Sequence, residues 1–319
     1  MKDIVFIIPY FGKFNNYFQL FLNSCKHNQN CDWLIFTDDK TGYIYPDNVK
    51  VYYCDFDDIK RLFQSKLDYT ISLEYPYKLC DYKPAYGYIF QEYLKDYRFW
   101  GHCDTDMIWG DISKFVSQKD MAQYDKIGVL GHCTLYKNDK DVNSLFMKTL
   151  NGTERSKTVF TGKRNYSFDE EFNQSINNIF EEYNYTIRYE EYEANIYTKS
   201  SDFKITRMNQ DRHSYTIEKK KNGFFIYNNG KIYRYFLETG IVKQEEYQYI
   251  HLQSRPMALK ISSDREIYKI IPNAFEDLEF DTVNKSMFNK IKKKNFNLHY
   301  FKLRSKNLYK KIQKRLMDD

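Results

Sequence analysis

Residues 3–11, which read DIVFIIPYF, form an almost unbroken apolar run rich in β-branched side chains. Such a run is typical of a strand buried on both faces, as in parallel sheets that carry helices on each side. After Gly12, apolar residues recur at helical spacing, and two more strand-like runs follow, DWLIFTDD and VKVYYCDF. This alternation predicts an α/β fold with a mostly parallel, Rossmann-like sheet.

The character of the chain changes between residues 184 and 250. The segment NGFFIYNNGKIYRYF alternates around Asn229-Gly230, a strong signal for a tight β-hairpin. We therefore expect an antiparallel β addition to the main sheet. The later segment YQYIHLQSRPM brings His251 to the end of one more strand. Chain length favours one main domain, and we expect it over residues 1–260, with a C-terminal extension over 261–319.

The net charge of the chain is +6, and the charge is unevenly spread. From Lys285 onward, lysines and arginines alternate with large apolar residues, and the only acids are the last two residues. The pattern predicts a basic amphipathic helical segment that lies on an anionic membrane surface. A helix docked on the domain with a solvated charged face is the alternative reading. We expect no nucleic acid as a partner.

Several sequence features that this chain lacks indicate the cellular compartment in which the protein acts. No apolar stretch approaches the roughly 20 residues that span a bilayer, and the N-terminus lacks the cleavage site of a signal peptide. The six cysteines are scattered without a CxxC pair. These features predict a cytoplasmic protein, held peripherally on the inner face of the cell membrane if the basic segment binds lipid.

The segment RFWGHCDTDMIWGD places Asp104 and Asp106 one residue apart, directly after a strand-like run. Carboxylates are preferred ligands of Mn²⁺ and Mg²⁺, and such an ion can bridge the phosphates of a nucleotide diphosphate. An acidic turn is the alternative, and Asp55-Phe56-Asp57 is a competing D-x-D. The preceding buried strand and Gly101 favour the pair at 104–106 as the metal site.

Other residues at the ends of predicted strands complete this hypothesis. A neutral imidazole is a good ligand for Mn²⁺, so His251 is expected to join the two aspartates. Arg255, just beyond it, suits a bidentate contact with phosphate. The residues expected to contact the nucleotide sugar are Pro9, Tyr10, Phe11, Thr37, Asp38, Asp39, Lys78, Asp81, Lys83, Asp104, Thr105 and Arg255.

The segment YSFDEEF contains two candidates for a general base. Asp169 or Glu170 is expected to remove the proton of an acceptor hydroxyl if the reaction inverts the anomeric centre. Acids at the start of a helix are also favoured by the helix dipole alone, which is the structural alternative. His132, in VLGHCTLYKN, is expected to face the same cleft on the acceptor side.

Taken in order, the blocks IIPYFGKFNNYFQLFLNSC, PYKLCDYKPAYGYIF, FWGHCDTDMIWGDI, GHCTLYKN, FDEEF and HLQSRPM resemble a family of bacterial polysaccharide-biosynthesis glycosyltransferases of the glycosyltransferase A-fold. The resemblance covers about residues 1–260. It implies a UDP-linked hexose donor, with galactose or glucose as candidates, and a lipid-linked or surface-glycan acceptor in capsule or exopolysaccharide synthesis. In this resemblance Asp104, Asp106 and His251 match the metal-binding pattern, and Lys78, Asp81 and Lys83 fall in the K-x-C-D-Y-K-P block.

Two other functions remain open from the sequence. A sugar-nucleotide nucleotidyltransferase also uses a metal and an α/β sheet, although PYFGKFNNY is a poor match to its glycine-rich loop. A non-catalytic protein that binds glycan or nucleic acid is the third reading. No GxGxxG, GxxxxGK[ST], GxSxG or HExxH motif is present, which disfavours dehydrogenase, P-loop, hydrolase and zinc-protease functions.

Overall fold

The computed structural model describes residues 2–170, 172–209, 211–212, 214–219, 223–280 and 282–318. The strands are β1 (Ile4–Tyr10), β2 (Cys31–Thr37), β3 (Val49–Tyr53), β4 (Phe99–Cys103), β5 (Met107–Trp109), β6 (Lys126–Leu130), β7 (Cys133–Lys137), β8 (Ile187–Arg188), β9 (Ala194–Asn195), β10 (Thr206–Met208), β11 (Tyr215–Ile217), β12 (Phe224–Asn228), β13 (Lys231–Glu238), β14 (Ile241–Tyr247), β15 (Tyr249–His251), β16 (Ala258–Leu259), β17 (Ile267–Ile271) and β18 (Ala274–Asp277). The α-helices are α1 (Phe18–Lys26), α2 (Phe56–Ser65), α3 (Tyr86–Ile89), α4 (Ile112–Phe115), α5 (Gln118–Gln123), α6 (Lys140–Ser144), α7 (Arg155–Thr161), α8 (Ile176–Glu182), α9 (Lys285–Lys294) and α10 (Leu298–Asp318). Three 3₁₀ segments are described at Pro76–Ala85, Gln91–Tyr93 and Leu145–Met147.

The main sheet has the strand order β3-β2-β1-β4-β7-β6-β8. The strands β3, β2, β1 and β4 run parallel to their neighbours, and β7 then pairs antiparallel with both β4 and β6. Strand β8 restores a parallel pair with β6. The predicted α/β fold with a mostly parallel sheet is therefore confirmed.

Strand β1 lies in the middle of this sheet and is buried on both faces, as its composition predicts. Val5 and Ile7 pack into the core that also contains the 3₁₀ and helical segments around α3. Ile4, Phe6 and Ile8 point to the opposite face and pack against α1 and β5. Alternate side chains of β1 thus enter two different cores. This packing on both faces fixes the position of the carboxyl end of β1, where the strand leaves the sheet.

A second β layer confirms the predicted antiparallel addition. Its strand order is β14-β13-β12-β17-β18-β16, and Asn229 and Gly230 turn the β12–β13 hairpin with φ of 46° and 82°. The extension expected from residue 261 is not helical throughout, because β17 pairs with β12 and belongs to this sheet. Helical structure in the extension begins only at Lys285.

The segments before β4 and before α8 are not regular α-helices. The segment before β4 is a 3₁₀ turn with Pro84 inside it, followed by the short α3, because a proline cannot donate to a regular α-helical ladder. The helix expected to begin near Asp169 begins at Ile176, where Ser175 provides the capping side chain. Asp169 and Glu170 therefore lie in the turn before α8 and are not stabilised by a helix N-terminus.

The C-terminal segment forms the two helices α9 and α10. Phe288 and Ile291 of α9 are buried against the second β layer, next to Phe224. In α10, Leu303 is buried, whereas the side chains of residues 308–313 are exposed. Within the described part of the chain, none of the helices combines the length and the apolar character needed to cross a bilayer.

Candidate functional site

A cleft of about 780 Å³ opens at the carboxyl ends of β1 and β4. In open α/β sheets, ligands bind at this end of the strands. The residues that line the cleft lie within the segments 7–11, 13–17, 76–86, 102–106, 131–132, 165–170 and 251–256. Most of the side chains predicted for the site therefore meet in one place, although they are far apart in the sequence.

Asp104 and Asp106 occupy the turn that joins β4 to β5. Strand β15 pairs antiparallel with β5 so that His251 lies opposite Met107, and this register brings the imidazole to the two carboxylates. Nε2 of His251 lies 3.2 Å from Oδ1 of Asp106 and 3.7 Å from Oδ2 of Asp104. One potential ligand atom from each residue falls within 4.8 Å of the others, a spacing suited to a single divalent ion.

The loop after β15 holds Asp106 in place. Ser254 donates to Oδ2 of Asp106 from its backbone N–H and from its hydroxyl. Gln253 and Ser254 adopt φ of 57° and 51°, a left-handed conformation that is uncommon outside glycine and that clusters at functional sites. One oxygen of Asp106 is thus occupied by the loop, and Oδ1 is directed toward His251.

The charges in this group stabilise one another. Burial tends to raise the pKa of Asp106, but the attraction of His251 and the bonds from Ser254 hold that pKa well below its usual range. Burial also disfavours the charged form of His251, yet Asp106 and Asp104 outweigh it and raise the pKa of the imidazole. The site is therefore built to hold positive charge between two carboxylates.

Asn195 belongs to this site and was missed from the sequence. Strand β9 runs parallel to β15 with Asn195 opposite His251. The carboxamide oxygen of Asn195 accepts from Nε2 of Gln253 at 2.7 Å and lies 3.2 Å from Nδ1 of His251. Only the register of a two-residue strand places it there, so no sequence motif marks it.

Lys83 is the cation nearest to the paired aspartates. Its ammonium group donates to Oδ1 of Asp104 at 3.0 Å and to the carbonyl oxygen of Gly131 at 2.7 Å, and it lies 3.5 Å from Oδ2 of Asp169. Burial opposes the charged amine, but Asp104 and its other negative neighbours raise the pKa of Lys83. Lys83 therefore links Asp104 of the candidate metal site to Asp169, the candidate base.

Asp169 and Glu170 both line the cleft but differ in environment. Asp169 is buried, and burial raises the pKa of its carboxyl to about 7 against the attraction of Lys83. Glu170 is exposed, and its carboxylate accepts from the backbone N–H of Gly131 at 2.9 Å. A Cβ on Gly131 would lie 2.5 Å from Oδ2 of Asp169, so a side chain at this position would displace that carboxylate.

His132 lies behind the imidazole of His251. Its ring stacks on His251 with 4.3 Å between the ring centroids. Burial, with the neighbouring His251 and Lys83, holds the pKa of His132 well below its usual range, so the ring is neutral. Its Nε2 has no hydrogen-bond partner among the described residues. His132 lines the cleft, and the contact with an acceptor that we expect of it stays a prediction.

The residues expected to form the base pocket separate into two groups. Those that line the cleft are Pro9, Tyr10, Phe11 and Thr105, whereas Thr37, Asp38 and Asp39 do not line it. Asp38 accepts from the backbone N–H of Gly12 at 2.7 Å. Asp39 accepts from Lys13 at 2.7 Å and from the backbone N–H of Phe14 at 3.1 Å. These two aspartates hold the loop that follows β1.

Lys78 and Asp81 are fully buried and do not line the cleft. The ammonium group of Lys78 donates to Asp81 at 2.7 Å and to the carbonyl oxygen of Val159 at 3.0 Å. Asp81 also accepts from the backbone N–H groups of Tyr166 and Phe168. The pair therefore fastens the loop that carries Asp169, in place of the substrate contacts expected for it.

Arg255 reaches the cleft, but its guanidinium group is turned into the protein. It donates to the carbonyl oxygens of Ser200, Ser201 and Pro272 at 2.6, 3.3 and 3.0 Å. Burial lowers the pKa of Arg255 to about 10. This arrangement differs from the expected bidentate contact with a phosphate, because carbonyl oxygens already take up the donors.

The competing D-x-D has an ordinary structural role. Asp55 caps α2, accepting from the backbone N–H of Asp58 at 2.9 Å, and Asp58 accepts in return from Asp55 at 3.0 Å. Asp57 is exposed in the first turn of the same helix. This is a capping box, which explains the pattern without a metal.

A family model described as "Family of unknown function (DUF6625)" matches residues 6–279. No curated protein matches the sequence. Among solved structures, the chain is similar to the apo form of the glycosyltransferase GlyE from Streptococcus pneumoniae TIGR4, with 14% identity, a TM-score of 0.37 and 60% of this chain covered. It spans 46% of the length of that protein. Mouse xyloside xylosyltransferase 1 in its apo form gives 9% identity, a TM-score of 0.38 and coverage of 62% of this chain and 88% of the other. The similarities are weak, and the fold given above rests on the strand order.

Proposed function

Because this chain belongs to the DUF6625 family, whose function is unknown, we propose its function from the chemistry of the cleft: it is a metal-dependent glycosyltransferase. One observation carries the proposal. Asp104, Asp106 and His251 meet at the carboxyl end of β4 with their ligand atoms within 4.8 Å, inside a cleft large enough for a nucleotide sugar.

The donor set fits a divalent ion such as Mn²⁺ or Mg²⁺. Two carboxylates and one imidazole are hard and borderline ligands of the kind these ions accept, and Asn195 and Ser254 support the ligand side chains from behind. When bound, such an ion supplies positive charge that stabilises a departing diphosphate. Asp104, Asp106 and His251 would hold it.

The remaining residues of the cleft act on the substrates. Tyr10 and Phe11 wall the end of the cleft near β1, where a nucleobase would lie. In an inverting transfer, the acceptor oxygen bonds to the anomeric carbon while the bond from that carbon to the diphosphate oxygen breaks. The hydroxyl proton passes to the carboxylate of Asp169 or Glu170, and Lys83 stabilises the charge on Asp169.

The substrates follow from the resemblance noted in the sequence. The donor is a UDP-hexose, with galactose and glucose as candidates, and the acceptor is a lipid-linked or surface glycan in capsule or exopolysaccharide synthesis. The protein acts in the cytoplasm, at the inner face of the membrane. The cleft supports this proposal because it offers both a charged end for a diphosphate and carboxylates for an acceptor hydroxyl.

A panel of nucleotide sugars, with and without Mn²⁺, tests the proposal. We expect metal-dependent release of UDP from a UDP-hexose. Exchange of pyrophosphate into the nucleotide sugar would instead indicate a nucleotidyltransferase, and inertness with every donor would indicate a binding protein. A thermal-shift screen of UDP, GDP, CDP and dTDP with manganese identifies the base, and we expect stabilisation by UDP.

A further inference from the structure

The C-terminal helix α10 leaves an apolar stripe uncovered. Leu298, Phe301, Leu308 and Ile312 recur at spacings of three, seven and four residues, which places them along one side of a helix, with Tyr309 beside them. All five side chains are between 47% and 81% exposed. Monomeric soluble proteins rarely leave a contiguous apolar surface of this kind without a partner.

Basic side chains border this stripe on both sides. Lys302 and Lys306 follow one edge, and Arg304 and Lys311 follow the other. All four are exposed, and no acidic residue occurs between Lys285 and Met317. An apolar stripe between two rows of cations is the arrangement of helices that lie in the plane of an anionic membrane surface, where long basic side chains reach the headgroups.

The start of the helix is fixed to the body beside the cleft. Nε2 of His299 lies 2.7 Å from the carbonyl oxygen of Pro256, which lines the cleft. Asn273 donates to Oδ1 of Asn297 at 2.9 Å, and Leu303 is buried. Among the side chains of α10 that the structure describes, those of the first turns are docked, and they are docked beside the loop that holds Asp106.

We propose that α10 binds the surface of an anionic lipid bilayer through the stripe formed by Leu298, Phe301, Leu308, Tyr309 and Ile312. A second copy of the chain is a poorer occupant, because pairing two such stripes would bring the rows of lysine and arginine against each other. A nucleic acid would satisfy the cations but leave the apolar stripe in water. The lipid surface satisfies both. One consequence rests on the proposed function: because α10 begins beside the cleft, binding of this helix to the bilayer would bring the cleft to acceptors held at the membrane.

Co-sedimentation of the full chain with vesicles tests the proposal without any donor or metal, so its result is independent of UDP release. We expect binding to phosphatidylcholine vesicles that contain phosphatidylglycerol, and much weaker binding to phosphatidylcholine alone. Leu308→Ser with Ile312→Ser should weaken binding at least about tenfold through lost apolar burial. Lys302→Gln with Lys306→Gln should weaken it by about fivefold for each lysine, and added salt should reduce the difference.

Ile44→Ser serves as the matched control, because Ile44 is 77% exposed in a loop far along the chain from α10. We expect this variant to bind vesicles like the unmodified protein. Equal binding by the Leu308/Ile312 variant, or no preference for phosphatidylglycerol, would overturn the proposal. A dimer of the unmodified protein that is lost in the Leu308/Ile312 variant, as measured by sedimentation velocity, would assign the stripe to a second copy and also overturn the proposal. RNA binding that is lost in the Lys302/Lys306 variant but kept in the Leu308/Ile312 variant would overturn it in favour of a nucleic acid.

Discussion

The carboxamide oxygen of Asn195 lies 3.2 Å from Nδ1 of His251, while Nε2 of the same ring faces Asp106 and Asp104. Because the same oxygen also accepts from Gln253, it acts as an acceptor and selects the tautomer with the proton on Nδ1. The lone pair of Nε2 is then available to a metal ion. The contact is the kind that orients a ligating histidine from outside the coordination shell.

The first prediction concerns this contact. Asn195→Leu removes the acceptor while keeping the size of the side chain, and we expect Mn²⁺ affinity to fall by about 10- to 100-fold in a calorimetric titration. Asn195→Asp keeps an acceptor oxygen and should restore most of the affinity. Nitrogen NMR of His251 should show loss of the Nδ1–H tautomer in the leucine variant alone. An unchanged tautomer would show that Asn195 is only a packing residue.

The second prediction separates the two D-x-D segments. Asp106→Asn removes the negative charge that faces His251, and we expect metal-dependent UDP release to fall at least about 100-fold, with loss of Mn²⁺ binding. Asp57→Asn is the control, since Asp57 is exposed on α2 and away from the lining of the cleft. That variant should keep full activity. Full activity in the Asp106 variant would contradict the proposal that Asp106 holds a metal ion.

The third prediction distinguishes the two candidate bases. Asp169→Asn should lower the turnover number by about 10²–10⁴-fold with little change in donor binding, because burial raises the pKa of this carboxyl to about 7 and makes it a good proton acceptor near neutral pH. Glu170→Gln should have a smaller effect, since that side chain is exposed and holds the Gly131 turn. The reverse order of effects would assign the base to Glu170. Equal retention of activity in both variants would indicate a retaining reaction.

The fourth prediction is a pH dependence of stability at Glu193. Burial and the neighbouring Glu191 raise the pKa of the Glu193 carboxyl from 4.5 to about 7. Between these values the unfolded chain has released this proton and the folded protein keeps it, so the free energy of unfolding falls as pH rises and levels off above 7. Glu193→Gln removes the titrating carboxyl group, so the free energy of unfolding of this variant does not fall for this reason as pH rises. We expect its stability relative to the unmodified protein to increase by about 1–3 kcal/mol between pH 5 and pH 8.

Urea unfolding of both proteins at the two pH values provides the measurement. Glu190→Gln is the control, because Glu190 is exposed on the same segment and its substitution should shift stability equally at both pH values. A pH-independent difference for Glu193→Gln would mean that this carboxylate is already ionised in the folded protein at pH 5.

Some parts of the fold and site can be read from the sequence because the residue type and its position depend on one local cause. The apolar run of β1 has to be buried on both faces, and a strand end in such a sheet has to face the ligand edge. Asp104, Asp106 and His251 could therefore be placed together before their contacts were known. The hairpin at Asn229-Gly230 follows in the same way from the backbone conformation that it requires.

Other parts depend on pairings between distant segments. Lys78 and Asp81 have the residue types of a phosphate and sugar site, yet a buried ion pair that fastens a loop needs the same types, and only the packing separates the two roles. Asn195 is positioned by the register of β9 against β15. The helix expected at Asp169 begins later because Ser175 offers a better cap, a local competition that periodicity does not reveal.

The loop that holds Asp106 lies 148 residues further along the chain, at Ser254. During synthesis, the paired aspartates leave the ribosome long before the strand and loop that complete their surroundings. A nascent or truncated chain that ends before β15 has no imidazole at this position and no hydrogen bond to orient Asp106. The candidate metal site therefore cannot be completed until the chain has been synthesised through Ser254.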